Sequence, residues 1–414
     1  RPTVPPDTAA NPPIEEIPAP SERRLQGGRV VRIALAKDVD HVTLSATGEW
    51  RLYDSGGEST LLRAGAGDLW TVEAGSSRLR AVHDDGRTTA TRPAPFIART
   101  VGRGAFVTVN GKRYRGEVWV IPSGAHSVTV VNRLYLEDYL RGVVPLEIGH
   151  RGSGEEAAVA AQAVAARSYA YTHLAGRERP YDMLATVLDQ VYGGVDAETP
   201  MSDAAVAATE GLVLQYHGRV VNAPYHSTCG GRTAAASEVW RGEADEPYLV
   251  SVSDRIPGTD RYYCDIAPRF RWTQTFTAGA LARVLERYLD RYARVRSGGP
   301  GRVEKVEVRG RTPSGRVRAL VITTDRGEYT LRGNDIRFVL RSPGGEILNS
   351  TYFSVETERG RNGALTQLTV RGNGYGHGIG MCQWGAIGRA RAGQDYQTIL
   401  RAYYPGTVVA RADE

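Results

Sequence analysis

The 414-residue sequence is sparing with several residue types, and each shortage excludes something. Three cysteines, Cys229, Cys264 and Cys382, are too few for a disulfide framework and allow at most one bridge plus one free thiol. Six phenylalanines against 48 glycines and 21 prolines argue against a long helical bundle and for short strands joined by many turns. No run of eighteen uncharged apolar residues occurs, so no segment reads as a transmembrane helix. Neither a methionine nor an apolar signal core precedes Arg1, which fits a processed mature end or a trimmed start equally. Lysine is almost missing: Lys37, Lys112 and Lys305 leave 49 of the 52 cations as arginine. These arginines are scattered among acids rather than gathered on a stripe, which argues against a nucleic-acid partner. The net charge of +6 favours an anionic or polar polymer over a cationic one. There is no His-Glu-x-x-His run, which argues against a zinc hydrolase.

What is present is an ordinary globular composition, 41% apolar and 24% charged, long enough for two to three domains. Residues 1–28 are dense in proline and read as an extended tether. Residues 29–107 read as an N-terminal β region, with alternating runs that continue to about Ser127 and an Asn110-Gly111 hairpin signal. Residues 108–409 hold the chemistry-bearing motifs. Ser153-Gly154-Glu155-Glu156 has capping-box spacing and opens an alanine-rich helix closing at Gly176. Further helices are expected at about Ala278–Val295 and Asp395–Tyr403. The fold class expected is α+β, mainly antiparallel β, with the alanine helix beside a cleft.

Glu147 lies among Val143, Val144, Pro145, Leu146 and Ile148. Apolar surroundings disfavour a charged carboxyl and raise its pKa towards proton-donating use; the plain alternative is an exposed glutamate in a loop between strand and helix. Glycines at 372, 374, 376, 378 and 380 alternate with larger residues. An extended strand would put all five on one face, open either to a long ligand or to close packing under the alanine helix. In Tyr225-His226-Ser227-Thr228-Cys229, His-x-x-Cys supplies two soft ligands, with Cys264 a third candidate. A structural zinc, a Cys229–Cys264 bridge and unligated structural residues all remain open.

The runs VNRLYLEDYLRGVVPLEIG, EEAAVAAQAVAARSYAY, DQVYGG, YHSTCGGRT, NDIRFVL, GYGHGIGMCQWGA and AYYPGT occur in one order over about Thr108–Val409. Together they resemble the SpoIID/LytB family of sporulation and cell-wall proteins. That resemblance implies a lytic transglycosylase cutting the MurNAc–GlcNAc β-1,4 bond of denuded peptidoglycan glycan strands and leaving 1,6-anhydro-MurNAc ends. It places the acid at Glu147 and implies substrate-binding positions at Gln162, Arg167, Gln190, Tyr192, His377, Gln383 and Trp384. Arg167 is expected to orient Glu147 or touch sugar, and Tyr192 to stack on a sugar ring. His226 and Cys229 match zinc-binding positions of some members, and a zinc set here would depend on Cys264 or water for its further ligand; no cofactor is required for the reaction. The resemblance also implies an exported protein of the periplasm or cell envelope, with any membrane tether outside this sequence.

One acid suffices for this chemistry. Two-carboxyl glycosidases flank the bond from both sides, whereas here the sugar's own C6 hydroxyl attacks and one residue serves as acid and then base. The competing reading is a non-catalytic, peptidoglycan-binding enhancer of a separate cell-wall amidase. Two departures from the family pattern stand out. Asp189 occupies a place often held by cysteine, and Cys382 one usually held by serine.

Overall fold

A computed structural model describes residues 28–57, 59–176 and 178–412. The proline-rich tether therefore lies outside the described residues, apart from Gly28. The chain forms two compact units: one runs up to Tyr135 and includes Gly194–Asp196, and the other comprises Leu136–Gly193 and Ala197 onwards.

Eleven strands build the first unit: β1 (Val30–Val39), β2 (His41–Ala46), β3 (Trp50–Tyr53), β4 (Thr60–Ala64), β5 (Trp70–Gly75), β6 (Arg78–His83), β7 (Phe96–Thr100), β8 (Val107–Val109), β9 (Lys112–Tyr114), β10 (Glu117–Pro122) and β11 (Val128–Tyr135). They pair antiparallel in two sheets, ordered β1-β11-β10-β7-β3-β4 and β6-β5-β2-β8-β9. Period-two patterning sets the register: Val118 and Val120 are buried, and Trp119 between them is half-exposed. Asn110 and Gly111 turn β8 into β9 with φ of 48° and 83°, the left-handed pair that a two-residue hairpin requires. The division falls after Tyr135 rather than after residue 107. The reason is pairing: Val107–Val109 joins β2 to the edge strand β9, and β11 lies along β1.

The second unit begins with α1 (Leu136–Ile148) and α2 (Glu156–Thr172). On α2, Ala158, Ala161, Ala163, Ala165, Ala166 and Ala170 are all fully buried, because their short side chains let neighbouring elements approach from every side. Those neighbours are α1, α3 (Pro200–Ala208), α7 (Gln383–Arg391) and α8 (Tyr396–Tyr403). The helix starts one residue after Glu155 and ends at Thr172; Ser153 makes no cap. Instead Glu155 and Glu156 fold back to accept from the Gly152 and Gly154 N–H groups.

Short sheets complete this unit. After the two-residue β12 (Met183–Leu184), β13 (Leu212–Tyr216) pairs with β14 (Arg219–Val220) and β23 (Val408–Arg411). Strand β15 (Tyr225–His226) runs parallel to β22 (Met381–Cys382). Two three-stranded sheets, β16-β21-β20 (Arg271–Thr277, Leu365–Asn373, Phe353–Arg359) and β17-β18-β19 (Val303–Val308, Ala319–Thr324, Gly327–Arg332), share a core with α5 (Ala278–Tyr288) and the short α6 (Asp335–Val339). The α+β, mainly antiparallel class holds.

The alternating-glycine segment is not the expected continuous strand. Beyond Asn373 the chain leaves β21, and Gly374, Gly376, Gly378 and Gly380 take φ of 78°, 112°, 92° and 70°. The resulting loop lies against residues 224–234 rather than under α2. A Cβ on Gly380 would sit 2.0 Å from the Pro224 carbonyl, and one on Gly374 2.5 Å from that of Thr228. The bare positions therefore admit the protein's own backbone.

Candidate active site

Glu147 occupies the last turn of α1, a helix whose Pro145 and Val143-Val144 read locally as strand and loop. Its half-buried carboxyl accepts one hydrogen bond, from the Val191 N–H to Oε1 at 2.7 Å. Burial pushes the Glu147 pKa up to about 7, and that single N–H pulls against the shift. A carboxyl so placed is poised between acid and base near neutrality.

Three phenols lie close enough to feel its charge. Burial first, and then the Glu147 carboxylate, push Tyr139 and Tyr225 well above the usual phenol range. Tyr169 is pushed up by burial, then by Asp189, and also by Glu147. Gln190 ties this shell together: its Oε1 accepts from Tyr139 Oη at 3.1 Å, and its Nε2 donates to Tyr225 Oη at 2.9 Å and to the Ala166 carbonyl at 3.2 Å. Asp189 accepts from the Leu184 N–H at 2.8 Å and, weakly, from Tyr169 Oη at 3.5 Å. The ring of Tyr169 stacks on His173 at 3.8 Å between centroids. Beside Asp189, Val187 and Leu188 are exposed, at 85% and 75%.

Several positions expected to touch substrate are interior. Arg167 is fully buried on α2 and forms a bidentate pair with Glu137 (2.8 and 2.7 Å), while also donating to the Leu212 and Val206 carbonyls. From this interior position it clamps α1 to α3 and β13. Gln190 is fully buried, and Tyr192, 6% exposed, packs its ring on Tyr139 at 5.0 Å; the pair braces the Glu147 shell from inside. Gln162 and Gln383 are buried and bonded to each other at 3.2 Å. His377 spends both ring nitrogens on backbone: Nε2 donates to the Tyr225 carbonyl at 2.8 Å and Nδ1 accepts from the Ile379 N–H at 3.1 Å. Trp384 is half-buried on α7, with the Arg151 guanidinium 5.2 Å over its ring.

Cys229 and Cys264 meet, with Sγ atoms 3.5 Å apart. Cys382 Sγ and an Asp254 carboxylate oxygen lie within 4.8 Å of these two sulfurs; His226 is not in that group, its Nδ1 donating to the Ile379 carbonyl at 3.0 Å.

A family model described as Stage II sporulation protein matches residues 124–216, which contain Glu147, Arg167 and Gln190. Stage II sporulation protein D of Bacillus subtilis is 33% identical over 299 residues, covering 68% of this chain and 76% of that protein. The chain belongs to the SpoIID family. This SpoIID member is also 33% identical over 301 residues to an uncharacterized protein of Brachyspira hyodysenteriae, covering 72% and 73% of the two chains. To a protein named Amidase enhancer from Bacillus subtilis it is 29% identical, over 73% of this chain but only 45% of that one. A second model, described as a domain of unknown function, matches residues 260–380.

Sequence reasoning missed the tyrosine shell. Its members are spread over α1, α2 and β15; each tyrosine stood in a quoted motif, but nothing in the motifs showed that the three rings gather around Glu147. The available signal was the pair of tyrosines following Arg167 on an otherwise alanine-rich helix.

Proposed function

We propose that this SpoIID member acts on the bacterial cell wall as a lytic transglycosylase on peptidoglycan glycan strands, with Glu147 as acid and then base. The supporting observation is the Glu147 carboxyl, held near neutrality by burial and steadied by one N–H. In the first half of the reaction protonated Glu147 gives its proton to the glycosidic oxygen as the C1–O bond of MurNAc breaks. In the second half the C6 hydroxyl of the same sugar bonds to C1, and its proton returns to the carboxylate. No water is consumed and the enzyme ends as it began, so one acid is enough. The Val191 N–H stabilises the ionised half of this cycle, and the buried Gln190–tyrosine shell fixes where the carboxyl points.

Denuded glycan strands incubated with the protein and analysed by mass spectrometry should yield anhydro-ended fragments, and Glu147→Gln should yield none. Equal yield from the variant would overturn the assignment. The name Amidase enhancer on one relative favours a second reading, a non-catalytic glycan-binding protein that stimulates an amidase. In that case the wild type makes no anhydro ends, and an added cell-wall amidase runs faster in its presence.

A further inference from the structure

We propose that Cys229, Asp254, Cys264 and Cys382 form a structural zinc site. The four donor atoms lie within 4.8 Å of one another and all four residues are buried. Tetrahedral zinc with bonds of about 2.3 Å to sulfur and about 2.0 Å to oxygen puts its ligand atoms some 3.5–3.8 Å apart. Cys229 Sγ stands 3.5 Å from Cys264 Sγ and 3.8 Å from Asp254 Oδ2. The set also has the surroundings of a metal centre. Cys382 Sγ accepts from the Cys229 N–H at 3.2 Å and from the Gly385 N–H at 3.3 Å, so two dipoles already face it as they would a thiolate.

Asp254 is oriented to serve. Its Oδ1 accepts from Tyr403 Oη at 2.6 Å and has Arg389 Nη2 at 3.6 Å, leaving Oδ2 turned towards the sulfurs and steadied by the Cys264 N–H at 3.0 Å. Three thiolates and a carboxylate around Zn²⁺ carry two excess negative charges. Two buried guanidiniums offset them: Arg389 at Asp254, and Arg316, whose Nη2 donates to the Cys229 carbonyl at 3.2 Å. Sulfur-rich donors select zinc over magnesium or calcium, and four protein ligands with none exposed leave no open position for catalysis. Loading releases the three thiol protons to solvent. The site joins segments distant in sequence, Cys229 to Cys382 spanning 153 residues, and pins the 224–234 segment that carries Tyr225 to the glycine loop and α7.

The test uses the wild-type chain purified without added metal. Elemental analysis should find about one zinc per chain. After denaturation with a chelator, all three cysteines should alkylate. Exchange into cobalt(II) should give the intense visible bands and near-ultraviolet sulfur-to-metal absorption of a tetrahedral thiolate site, a signature that needs no variant. Asp254→Asn and Cys382→Ala should lose most of the zinc, and His226→Gln should retain it. Protein that refuses zinc or cobalt with three free thiols overturns the proposal. So does protein two hydrogens lighter, from a Cys229–Cys264 disulfide, and so does zinc that persists in both ligand variants or leaves with His226.

Discussion

At Glu147 one side chain combines a cost to the fold with a capacity for chemistry. Its pKa is raised from 4.5 to about 7, chiefly by burial. Below pH 4.5 the group is protonated both folded and unfolded and costs nothing. As pH rises through about 7 the folded protein must hold a desolvated carboxylate that the unfolded chain would hydrate. Glu147→Gln should therefore be as stable as wild type at pH 4 and more stable at pH 8, by up to about 3 kcal/mol; urea melts at the two pH values check this. The same variant should lose at least about a hundredfold in anhydro-product formation. For wild type, kcat/KM should fall as pH rises above about 7, because the proton donor is then lost; a profile flat to pH 9 would show that another group donates. Shell residues predict a milder result. Tyr225→Phe removes the hydroxyl that accepts from Gln190 Nε2, leaving that buried amide one partner short, and should cost about 1–2 kcal/mol in denaturant unfolding.

Among the secondary elements, what was legible follows from which physical signal each one carries. The alanine helix and the N-terminal strands announce themselves by propensity and alternation, because burial on one face or on every side requires those residues. Helix α1 is hidden: Pro145 lacks an N–H and Val143-Val144 favour strands, and tertiary burial of Tyr139, Leu140, Val143 and Val144 overrides both. The glycine segment misleads because strict alternation looks like a strand, whereas positive φ is invisible in a sequence. Its packing makes a sharp comparison. Gly380→Ala would drive a Cβ into the Pro224 carbonyl at φ 70° and should cost more than about 3 kcal/mol. Gly393→Ala, at φ 80° with no atom within 4 Å of the added carbon, should cost only about 1 kcal/mol. Equal losses in urea titrations would contradict the packing account. Arg167 is the corresponding polar case. Arg167→Met deletes the clamp on Glu137 and the carbonyls of Val206 and Leu212, and should lower stability by about 3 kcal/mol.

For the whole molecule, the division into units decides which truncations can fold. Motif boundaries suggested a cut near Thr108, but pairing is not visible in motifs. Such a cut removes β1 to β7 and leaves β10 and β11 without their partners, although Val118, Val120, Val128 and Val130, on one face, are fully buried in the intact sheet. A fragment of residues 108–414 would expose that valine face together with unpaired strand edges, the combination that drives association. It should elute as aggregate in size-exclusion chromatography. Starting instead at Leu136 removes the strands entirely, but it also strips Gly194–Asp196 of the unit to which they belong. In the full chain, Asp196 pairs with Arg113 at 2.7 Å and accepts from its N–H at 3.0 Å, and Gly194 lies against Tyr114. That anchor sits three residues after Val191, whose N–H holds Glu147. The 136–414 fragment should thus be monomeric and helical by circular dichroism, yet turn over glycan more slowly than the full chain. In the intact protein Asp196→Ala should reproduce part of that loss with little change in thermal midpoint. Full activity in both would show that Val191 keeps its position without the anchor, and would leave the first unit no part in setting the acid.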